Sequence, residues 1–365
     1  MSTRVLFLHK WFVKSGGIER VHRNLAEALT AQGCECFFYV MNHAAEEEDG
    51  FLQLSTKFES VRSRKTASFW QKLTDVRAVI KIHKIDAVIS ATEQANVLAF
   101  VAKLLTKKLT VTYTRHCAFD VSDQALPAWT IRCFYSLFAL NGNIVAVSNA
   151  LKTQIQRSVL LNKKAVHFIP NAVLSKTMFA KAELAHELMP QTPYFIAIGR
   201  LAEQKGFDLL LQAYARARAI NERLPDLLIL GEGELKNSLA SLAGSLNIEQ
   251  YVCFAGFTGN PYPCIKQAKA FVLSSRHEGM PTVLIESLAL ETPVIAFDCP
   301  TGPREIINDG INGILVEYLN VDKLLEAMLA FETLPQENLS SGVQQFSYEN
   351  VASQYLALCT GRVDV

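Results

Sequence analysis

Short β-type runs alternate with amphipathic helical stretches along nearly the whole chain, in two successive series. In the first series, residues 5–9, 18–32 and 36–40 predict a strand, a helix and a second strand, which together form a βαβ unit. Further strands are predicted at 87–90, 109–113, 144–147, 166–169, 194–198, 226–230, 252–255, 270–273 and 294–297. Neighbouring parallel strands must be joined by a crossover connection, usually a helix. Strands that alternate with helices therefore predict an α/β fold with doubly wound parallel sheets.

The length of 365 residues exceeds what one hydrophobic core normally serves, so two domains are expected. Prolines at 190 and 193 interrupt the periodic pattern and mark the region of the connection. We place a first domain at 1–180 and a second at 181–347, with a terminal helix at about 348–362 that packs back on the first. Ligands of such sheets bind at the carboxyl ends of strands, so we expect the site in a cleft between the domains.

The net charge of +1 conceals two halves of opposite sign. Residues 1–180 contain 23 Lys and Arg against 13 Asp and Glu, whereas residues 181–365 contain 13 against 22. The basic half predicts an anionic partner, either a phospholipid surface or a phosphorylated acceptor. A solvated charged face without a partner is the alternative. No nucleic-acid partner is expected.

The sequence lacks the uninterrupted apolar run of about 18 to 20 residues that a membrane-spanning helix needs. Its first apolar run, at 5–8, is too short for a signal peptide and is followed by His9 and Lys10. The eight cysteines are scattered without a paired zinc spacing, and we interpret them as reduced thiols. These features predict a cytoplasmic protein that is soluble or peripherally attached to a membrane.

The most informative segment follows the predicted strand at 270–273. Gly279 permits a tight bend, Pro281 is favoured at a helix start, and Thr282 opens the next helix. The backbone amides of such a turn, from Gly279 through Met280 to Thr282, can bind a diphosphate at the helix N-terminus. An ordinary capped helix is the alternative interpretation.

Two glutamates flank this turn with seven residues between them. Glu286 lies one helical turn beyond Thr282 and can accept hydrogen bonds from ribose hydroxyls, while Glu278 stays near a bound sugar. The segment resembles the Glu-x7-Glu signature of family 4 of the retaining glycosyltransferases, which have the two-domain GT-B fold. The resemblance covers nearly the whole chain.

The resemblance implies an enzyme that transfers a sugar from a nucleotide diphosphate-sugar with retention of the anomeric configuration. In such enzymes the leaving phosphate itself assists the acceptor hydroxyl. No Asp-x-Asp element follows a strand of the first domain, so no metal ion is indicated. We expect no cofactor, the nucleotide-sugar being a co-substrate.

Three further elements of the family occur in the expected order. Gly16 and Gly17 follow a strand and open a helix, and in the family this loop lies near the donor diphosphate and the acceptor. Arg200 and Lys205 match cations that neutralise the leaving diphosphate. His116 matches a histidine that contacts the transferred sugar. Taken alone, these residues would be read as a tight turn, two surface charges and a structural histidine.

The next two matches border the nucleoside in the family. Gly231 follows the predicted strand at 226–230, and Phe257 follows the one at 252–255. The resemblance implies that backbone groups near Phe257 recognise the base. A place for Phe257 in the hydrophobic core is the alternative. Arg115 stands where relatives often have an acidic residue, and an arginine there suits an anionic acceptor.

Basic and aromatic residues are mixed between 57 and 84, with Phe69 and Trp70 on a predicted helix. A second basic cluster consists of Lys103, Lys107 and Lys108. Such a helix can lie on an anionic membrane, and family relatives with lipid-anchored acceptors dock this way. An ordinary solvated face is the alternative. We expect peripheral attachment to the cytoplasmic face of the inner membrane.

The loop 301–304, with the sequence Thr-Gly-Pro-Arg, resembles a bacterial subgroup that transfers galactose or an N-acetylhexosamine. It favours a UDP-linked hexose or N-acetylhexosamine as donor. The acceptor that the family resemblance implies is a lipid-linked glycan or a lipopolysaccharide. Two other functions stay open. One is a nucleotide-sugar epimerase of the GT-B fold, and the other is a catalytically silent glycan-binding subunit.

Overall fold

The computed structural model describes residues 2–12, 17–42, 54–55, 57–116, 127–333 and 339–362, with only the backbone of residues 128 and 131. The chain divides into two compact units. Unit 1 consists of Met1–Val173 and Phe346–Val365, and unit 2 is Leu174–Gln345.

Unit 1 contains a parallel sheet in the strand order β3-β2-β1-β4-β5-β6-β7. Its strands are β1 (Arg4–His9), β2 (Glu35–Val40), β3 (Glu59–Arg62), β4 (Ala87–Ala91), β5 (Thr110–Arg115), β6 (Asn143–Ala146) and β7 (Val166–Phe168). Its first helices are α1 (Gly17–Ala31), α2 (Phe69–Ile82), α3 (Glu93–Leu104), α4 (Ala128–Asn141) and α5 (Asn149–Ser158). β1 is buried from Val5 onward between β2 and β4 because apolar side chains occupy both of its faces, as expected for a central parallel strand.

Unit 2 contains a second parallel sheet in the strand order β10-β9-β8-β11-β12-β13. Its strands are β8 (Tyr194–Ile198), β9 (Asp226–Leu230), β10 (Val252–Gly256), β11 (Ala270–Leu273), β12 (Val294–Phe297) and β13 (Gly313–Val316). Its helices are α6 (Lys176–Ala182), α7 (Phe207–Ile220), α8 (Lys236–Ser245), α9 (Tyr262–Gln267), α10 (Thr282–Ala289), α11 (Pro303–Ile306) and α12 (Val321–Leu329). In this order β8 and β11 are neighbours, so the loops that follow them share one edge. Both units therefore have the predicted doubly wound α/β architecture.

The last helix, α13 (Tyr348–Thr360), belongs to unit 1 and packs against α1. Its buried residues Val351, Ala352 and Tyr355 join the core that contains Leu25 and Leu29 of α1. The amide of Val173 donates to the Phe346 carbonyl at 2.9 Å, which ties the two chain segments of unit 1 together.

The boundary between the units differs from the predicted one after residue 180. α6 packs against α9, and Lys266 Nζ lies 2.5 Å from Glu183 Oε1, so the chain belongs to unit 2 from Leu174 onward. Sequence could not place the boundary here, because the proline-rich stretch at 189–193 is a loop inside unit 2 and not the connection itself.

Two short strands, β3 and β13, were not predicted. β3 lies within the basic segment 57–84, so only part of that segment is helical. Because Glu59–Arg62 is an edge strand, the basic residues up to Lys65 precede the helix. α2 itself begins at Phe69 behind a capping box, in which the Ser68 hydroxyl accepts from the Gln71 amide. No helix among the described residues is long and apolar enough to cross a bilayer.

Candidate functional site

Lys205 and Glu278 form the centre of the site in unit 2. Lys205 ends the 3-10 turn Glu203–Lys205 after β8, and Glu278 lies in the loop after β11. The Lys205 ammonium is 2.6 Å from Glu278 Oε1, and the two side chains are 20% and 8% exposed. The Ser275 hydroxyl donates to the same oxygen at 2.7 Å. The carboxylate is therefore held in one orientation by a cation and a hydroxyl, at low exposure.

Backbone contacts fix the two loops that carry this pair. The Ser274 hydroxyl donates to the Lys205 carbonyl at 2.9 Å, and the Arg276 amide donates to the Gln204 carbonyl at 2.8 Å. Gly206 has φ +61°, and a Cβ there would lie 2.1 Å from the Ser274 carbonyl oxygen. Only glycine allows this approach of the two backbones.

An ion pair outside the predicted set supports the same loops. Arg276 donates to both carboxylate oxygens of Asp208 at 2.8 Å each, and Tyr318 donates to the Arg276 carbonyl at 2.7 Å. The hydrogen bond from Arg276 holds the pKa of Asp208 below its usual value. No local sequence pattern links Arg276 to Asp208, because the two residues are 68 positions apart.

The predicted diphosphate-binding turn forms the start of α10, as expected. Thr282 is its first residue and is half-buried, whereas Met280 and Pro281 are buried. Glu286 lies in the same helix with 2% of its surface exposed. The structure thus places both predicted carboxylates on one loop-helix element, with Glu278 before the helix and Glu286 inside it.

The loop after β12 packs on this turn. Gly302 has φ +98°, and a Cβ there would lie 2.5 Å from Pro281 Cδ and 3.1 Å from the Gly279 carbonyl oxygen. The Thr301 hydroxyl donates to the Glu278 carbonyl. The Thr-Gly-Pro-Arg loop therefore has a structural role that sequence alone did not reveal, since it shapes the backbone between Glu278 and Pro281.

Arg200, Gly231 and Phe257 follow β8, β9 and β10, which are neighbours in the sheet. The Arg200 side chain is 72% exposed, with Nη2 4.0 Å from Glu234 Oε1. A Cβ at Gly231 would lie 1.9 Å from the Gly199 carbonyl oxygen, so this glycine is required by backbone packing. Phe257 is 51% exposed, so the alternative that it belongs to the core is wrong.

Unit 1 contains a second group of candidate residues around His116. Gly17 begins α1, whereas Gly16 lies outside the described residues. His116 directly follows β5 and its Nε2 is 3.0 Å from Thr114 Oγ1. Two histidines that sequence analysis did not single out are close to it: His22 of α1, whose ring centroid is 5.4 Å from that of His116, and His9, at the end of β1.

Burial keeps all three imidazoles neutral at physiological pH. It lowers the pKa of His9 to about 3 and, together with the neighbouring Arg115, that of His116 to about 4. The pKa of His22 falls well below its usual value because of burial, with His9 and His116 adding to the effect. The signal that could have identified His9 is its position at a strand's carboxyl end, which it shares with His116.

The expectation that Arg115 meets an anionic acceptor is wrong for the structure described. Arg115 is 2% exposed and pairs with Glu93, the first residue of α3. Its guanidinium carbon also lies 5.8 Å from the centre of the Tyr135 ring. The residue belongs to the interior of unit 1 because a carboxylate of the same unit neutralises it.

Two families match consecutive parts of the sequence. Residues 15–174 match Glycosyltransferase Family 4, and residues 181–345 match Glycosyl transferases group 1. Together the two matches cover most of both structural units.

Three curated relatives are also named as glycosyltransferases. An uncharacterized glycosyltransferase of Methanocaldococcus jannaschii is 32% identical over 249 residues, which are 64% of this chain and 61% of that protein. One of Haemophilus influenzae is 26% identical over 323 residues, 86% of each chain. The N-acetylgalactosamine-N,N'-diacetylbacillosaminyl-diphospho-undecaprenol 4-alpha-N-acetylgalactosaminyltransferase of Campylobacter jejuni is 33% identical over 168 residues, 46% of this chain and 44% of that protein. The alignments to the first and third proteins span less than two thirds of their lengths.

Solved structures show the same fold over almost the whole chain. A glycosyltransferase from Rickettsia africae has a TM-score of 0.81 at 18% identity and covers 99% of this chain and 98% of its own. The lipopolysaccharide outer core galactosyltransferase WaaB has a TM-score of 0.73 at 20% identity, with 99% and 100% covered. Anabaena HepE in complex with UDP has a TM-score of 0.80 at 17% identity, with 98% and 100% covered.

Proposed function

The chain belongs to the GT-B glycosyltransferases, with a family 4 domain followed by a group 1 domain, and we propose that it transfers a hexose or N-acetylhexosamine from a UDP-sugar with retention of configuration. The acceptor in this proposal is a lipid-linked glycan or a lipopolysaccharide. The observation that carries it is the Lys205 to Glu278 pair, since it sets a cation and an oriented carboxylate beside the turn that begins α10.

In this proposal unit 2 binds the nucleotide-sugar donor. The amides from Gly279 to Thr282 hold the diphosphate, and Lys205 and Arg200 supply positive charge as the sugar-phosphate bond breaks. Glu286 binds the ribose, and the loops at Gly231 and Phe257 border the base. Glu278 lies near the sugar and keeps Lys205 in place. The UDP complex of Anabaena HepE supports a UDP-linked donor, because that protein has the same fold.

Retention follows from a reaction on one face of the sugar. The leaving phosphate oxygen takes the proton of the acceptor hydroxyl, the glycosidic bond forms, and the bond between the anomeric carbon and the phosphate breaks. The cations and helix amides stabilise the negative charge on the leaving diphosphate, so the proposed reaction uses no metal ion. In this proposal unit 1 binds the acceptor, with Gly17 and His116 as its candidate binding residues; the predicted Gly16 lies outside the described residues.

A lipid-linked acceptor accords with the Campylobacter jejuni relative, whose name states a diphospho-undecaprenol substrate. An enzyme with such an acceptor works at a membrane surface. We therefore include peripheral attachment to the cytoplasmic face of an inner membrane, through the basic residues of the N-terminal half. The excess of ten positive charges in residues 1–180, 23 against 13, supports this attachment.

A panel of UDP-sugars tests the donor proposal without an identified acceptor. Slow hydrolysis of one sugar, measured by UDP release, is expected for the wild type and is expected to fall at least roughly a hundredfold in Lys205→Ala. Lys269→Ala is the matched control, because this exposed lysine lies at the amino end of β11, opposite the end whose loop carries Glu278. If no nucleotide-sugar binds or reacts, or if Lys205→Ala behaves like Lys269→Ala, the proposal fails.

The same panel distinguishes the two alternative functions. An epimerase would return a changed UDP-sugar without releasing UDP. A silent glycan-binding subunit would leave every donor unchanged. An epimerase needs acid and base groups at the sugar, whereas the Glu278 carboxylate already pairs with Lys205 and accepts a hydrogen bond from Ser275.

A further inference from the structure

Helix α4 presents an apolar face on the exposed surface of unit 1. Trp129, Leu137 and Leu140 are 68%, 46% and 57% exposed, and Cys133 on the same side is exposed too. Their spacing of four, four and three residues places them on one side of the helix. The opposite side, with Tyr135 and Phe138, is buried. An exposed apolar stripe of this kind marks a binding surface.

Two more leucines extend this face. Leu160 and Leu161, in the loop after α5, are 82% and 58% exposed. The Leu160 amide donates to Ser136 Oγ of α4 at 3.3 Å, and the Asn162 side chain donates to the Ala139 carbonyl at 2.6 Å. These bonds hold the loop beside α4. We call the set of Trp129, Leu137, Leu140, Leu160 and Leu161 the leucine surface.

The stretch of chain that carries the leucine surface has charge of one sign. Residues 127–173, which belong to unit 1, contain five Lys and Arg and no Asp or Glu. Arg132 on α4, Arg157 on α5, and Lys163 and Lys164 just beyond Leu161 are all exposed. Apolar side chains that enter the acyl boundary, ringed by cations that meet anionic headgroups, form the combination that binds a charged bilayer surface.

We propose that the leucine surface docks onto the headgroup region of an anionic phospholipid bilayer. This rests on the peripheral attachment proposed above and moves its centre from the basic segment at 57–84 to α4 and the loop after α5. Lipid binding needs no donor or acceptor, so it can be measured separately from catalysis.

Tryptophan fluorescence distinguishes attachment through α4 from attachment through α2, because each helix carries one exposed tryptophan. Trp70 of α2 and Trp129 of α4 are 69% and 68% exposed, so each reports equally well on its own helix. Two proteins with a single tryptophan, made by Phe replacement of the other two, are mixed with phosphatidylglycerol-containing or pure phosphatidylcholine vesicles. We expect a blue shift of Trp129 emission on the anionic vesicles only. A shift of Trp70 alone, or none at all, overturns the proposal.

Substitution tests the leucines directly. We expect Leu160→Ser with Leu161→Ser to lower sedimentation with anionic vesicles by at least about tenfold, because two apolar side chains no longer leave water. Ile220→Ser is the matched control, since Ile220 is 67% exposed in unit 2. Equal sedimentation of both variants contradicts the proposal. So does a concentration-dependent dimer, seen by ultracentrifugation, that the leucine substitutions abolish.

A separate observation concerns a histidine cluster of unit 1, in which His9 and His22 are buried and His116 is half-buried. His9 Nε2 lies 3.0 Å from His22 Nδ1, and Thr114 Oγ1 lies 3.5 Å from His22 Nε2 and 3.0 Å from His116 Nε2. The same hydroxyl donates to the Ser90 carbonyl at 2.8 Å. One threonine thus connects two imidazoles to a backbone acceptor.

The chemistry of these groups fixes the direction of every hydrogen bond. The Ser90 carbonyl can only accept a hydrogen bond, so the Thr114 hydroxyl donates its one proton to it. The hydroxyl oxygen can then only accept hydrogen bonds from the imidazoles. His116 and His22 must then carry protons on Nε2. A neutral His22 has its lone pair on Nδ1, so His9 donates to it from Nε2.

We infer that Thr114 is a positioning residue that holds His116 in the Nε2-protonated tautomer, with His22 supporting the arrangement. His116 Nδ1 has no hydrogen-bond partner within the described part of the chain. Its lone pair is then available to accept a hydrogen bond from a substrate hydroxyl. This inference rests on the proposed function, because the hydroxyl belongs to the sugar or the acceptor.

Nitrogen-15 NMR of histidine side chains tests the tautomer without any substrate. We expect His116 to be Nε2-protonated in the wild type and in Thr114→Ser, and a mixture of tautomers in Thr114→Val, which lacks the hydroxyl. Thr114→Val is expected to lower kcat/KM roughly tenfold, the effect of one lost hydrogen bond, with Thr114→Ser near wild type.

Two outcomes would overturn the inference. The first is an Nδ1-protonated His116 in the wild type, and the second is an unchanged tautomer in Thr114→Val. If the NMR result is as expected but no sugar is transferred, the proposed function fails and the assignment of the tautomer stands.

Discussion

Lys205 Nζ lies 2.6 Å from Glu278 Oε1, although the two residues are 73 positions apart in the sequence. The pair exists because β8 and β11 are neighbours and their following loops are bonded through Ser274 and Gln204. A lysine held in this way is oriented before any donor binds, so it requires no reorganisation when charge develops.

Glu278→Gln tests the carboxylate half of this pair. The amide keeps the shape of the side chain but removes the charge that orients Lys205, so we expect kcat to fall about a hundredfold with the fold intact. Glu203→Gln is the control, because Glu203 lies exposed in the same turn as Lys205. Donor hydrolysis measures the effect, and a similar loss in both variants would contradict a specific role for Glu278.

Gly302→Ala tests the contact that shapes the diphosphate-binding turn. The new methyl group would meet Pro281 and the Gly279 carbonyl, so we expect a loss of about 1–3 kcal/mol in unfolding free energy and weaker UDP binding. Gly310→Ala is matched for backbone strain, since Gly310 also has positive φ but nothing within 4 Å of its Cβ position. Calorimetric UDP titration should separate the two variants, and equal UDP affinities would argue against the contact.

Arg115→Gln tests the buried ion pair of unit 1. Glu93, whose side chain is 28% exposed, would lose the cation that neutralises it, so we expect a loss of about 1.5–3 kcal/mol in unfolding free energy. Arg216→Gln, which removes an exposed pair with Asp322, should have a much smaller effect. Urea denaturation of both variants measures the difference. Equal stability losses would mean that Arg115 is not held as described.

The buried histidines predict a pH dependence of stability. Their native pKa values, about 3 for His9 and about 4 for His116, lie below the unfolded value of 6.5. Between these values the unfolded chain binds more protons than the native one, so stability falls as the pH decreases from 6.5. Each such histidine contributes a slope that rises toward about 1.4 kcal/mol per pH unit as the pH falls well below 6.5.

His9→Phe removes one of these groups and should give a shallower decrease in unfolding free energy between pH 6.5 and 5. The slope is the measured quantity, so a change in overall stability does not affect the comparison. Identical slopes for the variant and the wild type would show that His9 is not held neutral in the native state.

Much of the fold could be read from the sequence because its signals are local. The strands 194–198, 226–230, 270–273 and 294–297 were predicted with the bounds that the structure gives. β3 and β13 were missed. Both are edge strands, and β3 contains only one apolar residue, Val61, so it lacks the buried apolar run that marks β11 and β12. The boundary after Val173 was also missed, because it depends on the packing of α6 on α9.

The sequence by itself determined the two α/β series, the turn between Glu278 and Glu286, and the matching positions of Lys205 and His116. Tertiary structure decided which of these residues meet and which others join them. Strand order brings Lys205 to Glu278, Arg276 to Asp208 and Gly302 to Pro281. It also places His9 and His22 with His116. The physical reason is that the spatial order of strands in a parallel sheet differs from their order along the chain, and no local pattern encodes which strand ends become neighbours.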